Sequence, residues 1–154
     1  EGPDGSRQML LEDFFLGPSQ VALEHEEIMT SITVSSDNYT GYRGHFFKYA
    51  MRDAMDIATI GCTAAARLDG DKFDELRLAF SVAAPTPVRC ETAEKAAAGQ
   101  PLSEETLKAV TNAVEKDVKP RNSWRATKEF RLHVIRTLTQ RVVRQAIERA
   151  GGKY

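Results

Sequence analysis

An α+β fold is predicted: an antiparallel sheet of three to four strands, followed by three helices packed on one face. Three observations predict it. Residues 73–83 alternate, with Leu76, Leu78, Phe80 and Val82 on one face and Glu75, Arg77 and Ser81 on the other, the period of a half-buried strand. Asp69-Gly70-Asp71 stands between two β-like runs, where a hairpin turn belongs. Beyond Val88 the apolar spacing lengthens to a helical period at Leu107, Val110, Val114 and Val118, so strands come first and helices last.

In chain order, residues 1–7 are polar and rich in Gly and Pro, which predicts a loop. A short apolar segment over 8–15 ends at the Gly17-Pro18 turn signal, and a further apolar stretch covers 21–23. Over 27–34, Ile28, Thr30, Ile32 and Val34 alternate with Met29, Ser31 and Thr33, which predicts a strand. Residues 35–44 are polar and predict a loop. Two strands follow, the aromatic run 45–50 and the small-residue run 57–68, on either side of a charged, Met-rich bend, Met51-Arg52-Asp53-Ala54-Met55-Asp56. That bend is where function is expected, because charged side chains on a loop held by a rigid sheet are how folds present chemistry. Two prolines within 84–88 end the third strand. A helix is predicted over 90–98, stopped by Gly99 and Pro101. Ser103 is placed to cap a second helix over 104–118, with Glu104 and Glu105 in its first turn and Pro120 beyond it. The last helix, over 126–150, carries Phe130, Val134, Leu138, Val142 and Ile147 inward and stops at Gly151-Gly152.

The chain has 154 residues, 42% hydrophobic and 28% charged, with a formal net charge of -1. That size buries a core without staples, and that balance argues against a nucleic-acid binder. No apolar run is long enough to span a bilayer, and no signal-peptide pattern opens the chain. Cys62 and Cys90 are far apart and read as two buried thiols rather than a disulfide or metal site. His25, His45 and His133 have no carboxylate or cysteine at a useful spacing, so neither zinc nor a catalytic dyad is expected.

Phe47-Lys48-Tyr49-Ala50-Met51-Arg52, Asp56-Ile57-Ala58, Leu76-Arg77-Leu78-Ala79-Phe80 and Ala83-Ala84-Pro85-Thr86-Pro87 resemble the FAD-binding subunit of bacterial xanthine dehydrogenases. More broadly they are similar to the C-terminal domain of the flavoprotein subunit of the molybdenum hydroxylases, carbon monoxide and nicotinate dehydrogenases included. Phe14-Phe15-Leu16-Gly17-Pro18 and Glu27-Ile28 upstream, and Ser123-Trp124-Arg125-Ala126 with Glu129-Phe130-Arg131 downstream, fit the same family in the same order. The resemblance implies that residues 1–24 end a preceding FAD-binding subdomain or link to it, and that 25–154 form the flavoprotein C-terminal domain. The chain starts at Glu1, and no GxGxxG or P-loop pattern occurs. The expectation is therefore the C-terminal portion of a longer flavoprotein, without turnover by itself.

The resemblance further implies a cytoplasmic, multi-subunit oxidoreductase. Substrate is hydroxylated at a molybdopterin centre on a molybdenum-binding subunit, and electrons pass through an iron–sulfur subunit to FAD and on to an acceptor such as NAD. Four residues are implicated in binding the flavin. Lys48 stands where the family places a cation near the flavin, against the alternative of a solvated lysine. Met29 aligns with an apolar packing position, against ordinary packing. Arg52 and Asp56 bracket the flavin-side loop, against a simple surface ion pair. Two other functions stay open: a flavin subunit serving nicotinate, an aromatic or carbon monoxide, and a non-catalytic subunit-docking module. Trp124 and Arg125 read as a packing anchor at the start of the last helix or as an interface. Arg131, Arg136, Arg141, Arg144 and Arg149 read as a solvated face or a meeting point for an acidic partner.

Overall fold

The computed structural model describes residues 1–153. Its centre is a four-stranded antiparallel sheet in sequence order: β3 (Arg43–Tyr49), β4 (Ile60–Asp69), β5 (Lys72–Ser81) and β6 (Val88–Arg89). A small two-stranded ribbon, β1 (Phe15–Gly17) and β2 (Gln20–Val21), precedes it and follows a one-turn helix, α1 (Leu11–Phe14). Three longer helices come last: α2 (Glu91–Ala97), α3 (Glu104–Ala113) and α4 (Lys128–Arg149).

The sheet is built as the alternation requires. In β5, Phe73, Leu76, Leu78 and Phe80 are buried, while Arg77 and Ala79 point the other way. β4 contributes Ile60, Cys62, Ala64 and Ala66 to the same buried layer. Small side chains in this central strand let α4 lie close against β4 and β3. Its buried stripe of Val134, Ile135, Leu138, Val142, Val143, Ala146 and Ile147 fills the space. The β4–β5 hairpin pairs Asp69 with Lys72, and Gly70 adopts φ +60° in the two-residue turn, a conformation glycine takes without a Cβ penalty. Ser103 and Thr127 cap α3 and α4 through the amides of Thr106 and Phe130, each at 3.2 Å.

Four expectations need correction. Residues 27–34 form no strand: Ile28, Met29, Ile32 and Val34 are all exposed, and no described strand pairs with them. Alternation makes a segment fit for a sheet, and a free edge in reach makes it a strand. The fourth strand is instead β6, which pairs Ala79 with Arg89 and Phe80 with Val88. Val82 does not continue the inner face of β5, because its backbone turns to φ +63° and its side chain faces outward. Phe130 is 43% exposed rather than inward. Finally, the helix expected over 104–118 tightens into a 3-10 turn at Val114–Lys116, although Leu107, Val110, Val114 and Val118 are all buried.

The amino-terminal segment is tied down by ions. The Arg7 guanidinium donates from Nε to Glu27 Oε1 at 2.6 Å and from Nη2 to Glu27 Oε2 and the Ala22 carbonyl, each at 2.5 Å. The hydrogen bonds from Arg7 and from the Glu24 amide pull the Glu27 carboxyl down to about 2.

Candidate functional site at the end of the sheet

The bend between β3 and β4 is a closed unit. At its neck the Thr59 amide donates to the Tyr49 carbonyl at 2.8 Å. Above the neck, Lys48 Nζ donates to the carbonyl of Asp56 at 2.6 Å. The Asp56 carboxylate turns inward and accepts the amides of Met51, at 2.7 Å, and Arg52, at 3.0 Å. These amide donors outweigh the opposing effect of desolvation and hold the Asp56 carboxyl below its ordinary value. Arg52 Nη2 donates to the Met55 carbonyl at 2.7 Å. Met55 sits at φ +52° at the tip and is 93% exposed, with Met51 and Ile57 exposed beside it.

This geometry corrects the simple ion-pair reading. Arg52 and Asp56 do not pair with each other; each closes on main-chain atoms. Lys48 also takes a carbonyl rather than a carboxylate, and it enters no salt bridge among the described residues. The chemistry available is a cation beside exposed apolar side chains, and it lacks a nucleophile–base pair. Among the described residues no group of three or more His, Cys, Asp or Glu could hold a metal.

Met29 lies elsewhere. It lines a cleft of about 280 Å³ formed by the amino-terminal segment, together with Arg7, Met9, Leu11, Phe14 and Ile32. That lining includes neither Lys48 nor the 51–56 bend. Lys48, Arg52 and Asp56 are brought together in the bend, and Met29 lines the amino-terminal cleft.

A residue that the sequence reading assigned to a solvated face supports the bend from below. Arg131 is 2% exposed. It donates from Nη1 to the carbonyl of Thr59, the neck residue, and from Nη2 to Ser123 Oγ at 2.9 Å, while its buried Nε has no partner. The signal was present in the helical phase, since Arg131 lies three and four residues before Val134 and Ile135 on the buried stripe. The other four arginines of that face are outside: Arg136 pairs with Glu115, Arg144 with Glu104, Arg149 donates to the Gly44 carbonyl, and Arg141 lies over the Phe47 ring. Trp124, 82% exposed, is no packing anchor. Cys62 and Cys90 are free and buried, and burial pushes both thiols up, Cys90 to about 12.

Residues 45–146, from within β3 into the last turns of α4, match the CO dehydrogenase flavoprotein C-terminal domain. The chain belongs to that family. Among relatives of this flavoprotein domain, the xanthine dehydrogenase FAD-binding subunit of Escherichia coli O157:H7 is 52% identical over 151 residues, covering 98% of the chain and 52% of that protein. The carbon monoxide dehydrogenase medium chain of Hydrogenophaga pseudoflava is 27% identical, covering 95% of the chain and 50% of that protein. The chain thus spans about half the length of the curated relatives it matches. The solved carbon monoxide dehydrogenase of Hydrogenophaga pseudoflava, a form lacking the Mo-pyranopterin moiety, superposes with a TM-score of 0.84 at 27% identity over 97% of the chain and 51% of the matched one. Quinoline 2-oxidoreductase from Pseudomonas putida 86 shares the fold, with a TM-score of 0.74 at 20% identity over 90% of the chain and 47% of the matched one. No helix among the described residues is long and apolar enough to cross a membrane.

Proposed function

We propose that the chain is the C-terminal domain of the FAD subunit of a xanthine dehydrogenase-like molybdenum hydroxylase. In this reading it forms one wall of the flavin site, with residues 1–24 ending the preceding subdomain and 25–154 forming the domain itself. The carrying observation is the Lys48 ammonium, held at the end of the sheet by a main-chain carbonyl and engaged in no salt bridge among the described residues. The identity supports a xanthine-type parent over a carbon monoxide-type one, 52% against 27%.

The residues fit part of the cofactor. Exposed Met51, Met55 and Ile57 beside Lys48 suit an apolar ring edge that gains electron density. No glycine-rich cradle for a diphosphate occurs in the chain, so that part of the site falls to the other half of the subunit. FAD, when bound, supplies the relay of electrons from iron–sulfur clusters on a partner subunit, fed by a molybdenum-binding subunit, to an acceptor such as NAD. The chain's own residues orient and bias it. Lys48 stabilises added negative charge, Asp56 fixes the bend by gathering two amides, and Arg52 holds its tip. Met29 contributes an apolar surface in the amino-terminal cleft. A cytoplasmic setting is supported by the two unpaired cysteines.

The test is Lys48→Met in the complete FAD subunit. A unit charge near the ring in a partly solvated site is worth about 1 kcal/mol, or roughly 20 mV for a two-electron couple. The flavin midpoint potential is expected to fall by that order, with FAD content retained. An unchanged potential together with an unchanged rate of acceptor reduction would remove Lys48 from the flavin wall.

A further inference from the structure

The charge pattern outside the bend is uneven. Arg7, Arg67, Arg77, Arg89, Arg136 and Arg144 each close on a carboxylate. Residues 119–131 hold Lys119, Arg121, Arg125, Lys128 and Arg131 against a single acid, Glu129. None of these five cations enters an ion pair among the described residues. Arg131 is buried with a spare donor at Nε. Burial, then the positive charges of Arg121 and Arg125, work against its own charge. Like charges gathered without an anion are a cost that the fold itself does not require.

The same stretch presents an exposed aromatic tip. The Ser123 amide donates to the Ala126 carbonyl at 3.0 Å, closing a tight turn that leaves Trp124 and Arg125 at its apex. The Arg125 guanidinium lies 4.1 Å from the centroid of the Trp124 ring, and Trp124 is 82% exposed. Asn122 Oδ1 accepts the Lys128 amide at 2.6 Å, anchoring the turn to the start of α4. Phe130, 43% exposed at the start of α4, meets Tyr49, with ring centroids 6.2 Å apart. A stacked Trp–Arg pair already held in place loses little freedom on binding, and Trp and Arg are the residues that dominate protein interfaces.

We infer that the Ser123–Ala126 turn, with Arg121 and Arg125, docks an acidic protein surface on another subunit of the parent oxidoreductase. Trp124 seats in an apolar pocket there, and the guanidiniums meet its carboxylates. This rests on the flavoprotein reading above. A nucleic acid is a poorer fit, because the whole chain carries a net charge of -1 and the cations form one short patch rather than a track. Through the Arg131 bonds to Ser123 and Thr59, the docked turn is joined to the neck of the flavin-side bend.

The experiment uses the complete FAD subunit and its partner subunits, with assembly measured by sedimentation across a salt series. Trp124→Ala is expected to weaken assembly by about 30-fold or more, the loss that defines an interface hot spot. The double variant Arg121→Glu, Arg125→Glu is expected to weaken it comparably and to flatten the salt dependence. FAD content and the unfolding midpoint should stay at wild-type values in both. Wild-type assembly in both variants overturns the docking surface. So does wild-type assembly accompanied by loss of heparin binding, which would make the patch a polyanion site. A wild-type subunit that holds no FAD sinks the flavoprotein reading instead, and FAD content reports that separately from assembly.

Discussion

Arg131 joins α4 to the neck of the bend, so its replacement tests whether the site depends on a contact across the fold. In Arg131→Met the aliphatic volume is largely kept and both hydrogen bonds are lost. The Thr59 carbonyl, in a residue 2% exposed, is left without its donor. An orphaned buried acceptor costs about 1–3 kcal/mol, and a hydrogen bond from a charged donor contributes about 1.5–3 kcal/mol. Against this, the variant no longer buries a guanidinium whose Nε is unpaired. The balance is a loss of about 2–3 kcal/mol, which for a chain of this size lowers the melting temperature by roughly 4–12 °C. Urea unfolding should show a lower midpoint with an unchanged slope. Hydrogen exchange should show the Thr59 amide, bonded to the Tyr49 carbonyl, exchanging faster, with residues 50–58 following. Arg131→Lys, with one donor group in place of a fork, should fall between the two. Wild-type stability in Arg131→Met, with unchanged exchange at Thr59, would refute the idea that Arg131 holds the neck.

Gly152→Ala should destabilise by about 1–3 kcal/mol, because a Cβ there would lie 2.7 Å from Ile147 Cγ2, 2.7 Å from Leu68 Cδ1 and 2.8 Å from Leu102 Cδ1; an unchanged melting curve would mean that the chain end is not packed against the core. The Glu27 carboxyl is depressed, so the Arg7 clamp is fully present above the ordinary carboxylate value of 4.5 and is lost as pH falls through about 2. The amide shift of Glu24, which donates to that carboxylate, should titrate with a midpoint near 2; a midpoint near 4.5 would dissolve the clamp. Cys62 and Cys90 should resist a thiol reagent at pH 8 in the folded chain and react on unfolding. Rapid labelling without unfolding would contradict their burial.

How much was legible varies by element, for physical reasons. β5, the stripe of α3 and the Ser103 cap were readable because each expresses a local rule: alternation, helical spacing, or a side-chain oxygen facing free amides. Residues 27–34 obeyed the same alternation and formed no strand, since pairing needs an edge that the segment itself does not supply. Arg131 was misplaced because charge was weighed over phase: its position in the helical period lay inward, and the Thr59 carbonyl at the neck of the bend made burial tolerable. Trp124 was read as an anchor by residue type, whereas the tight turn at Ser123 and Ala126 lifts it off the core.

The sequence by itself determined that the main strands precede the long helices and the family to which the chain belongs, and it pointed to the charged bend as the place to look. Those follow from interactions between neighbours along the chain and from ordered motifs. Only the tertiary structure decided that Asp56 closes on amides rather than on Arg52. It also decided that Lys48 takes a main-chain carbonyl, that Met29 lines the amino-terminal cleft, and that an arginine of the last helix supports the neck. The bonds of Asp56 and Lys48 depend on how the bend closes on its own main chain, whereas the Arg131 bond to the Thr59 carbonyl depends on the packing of α4 across the sheet.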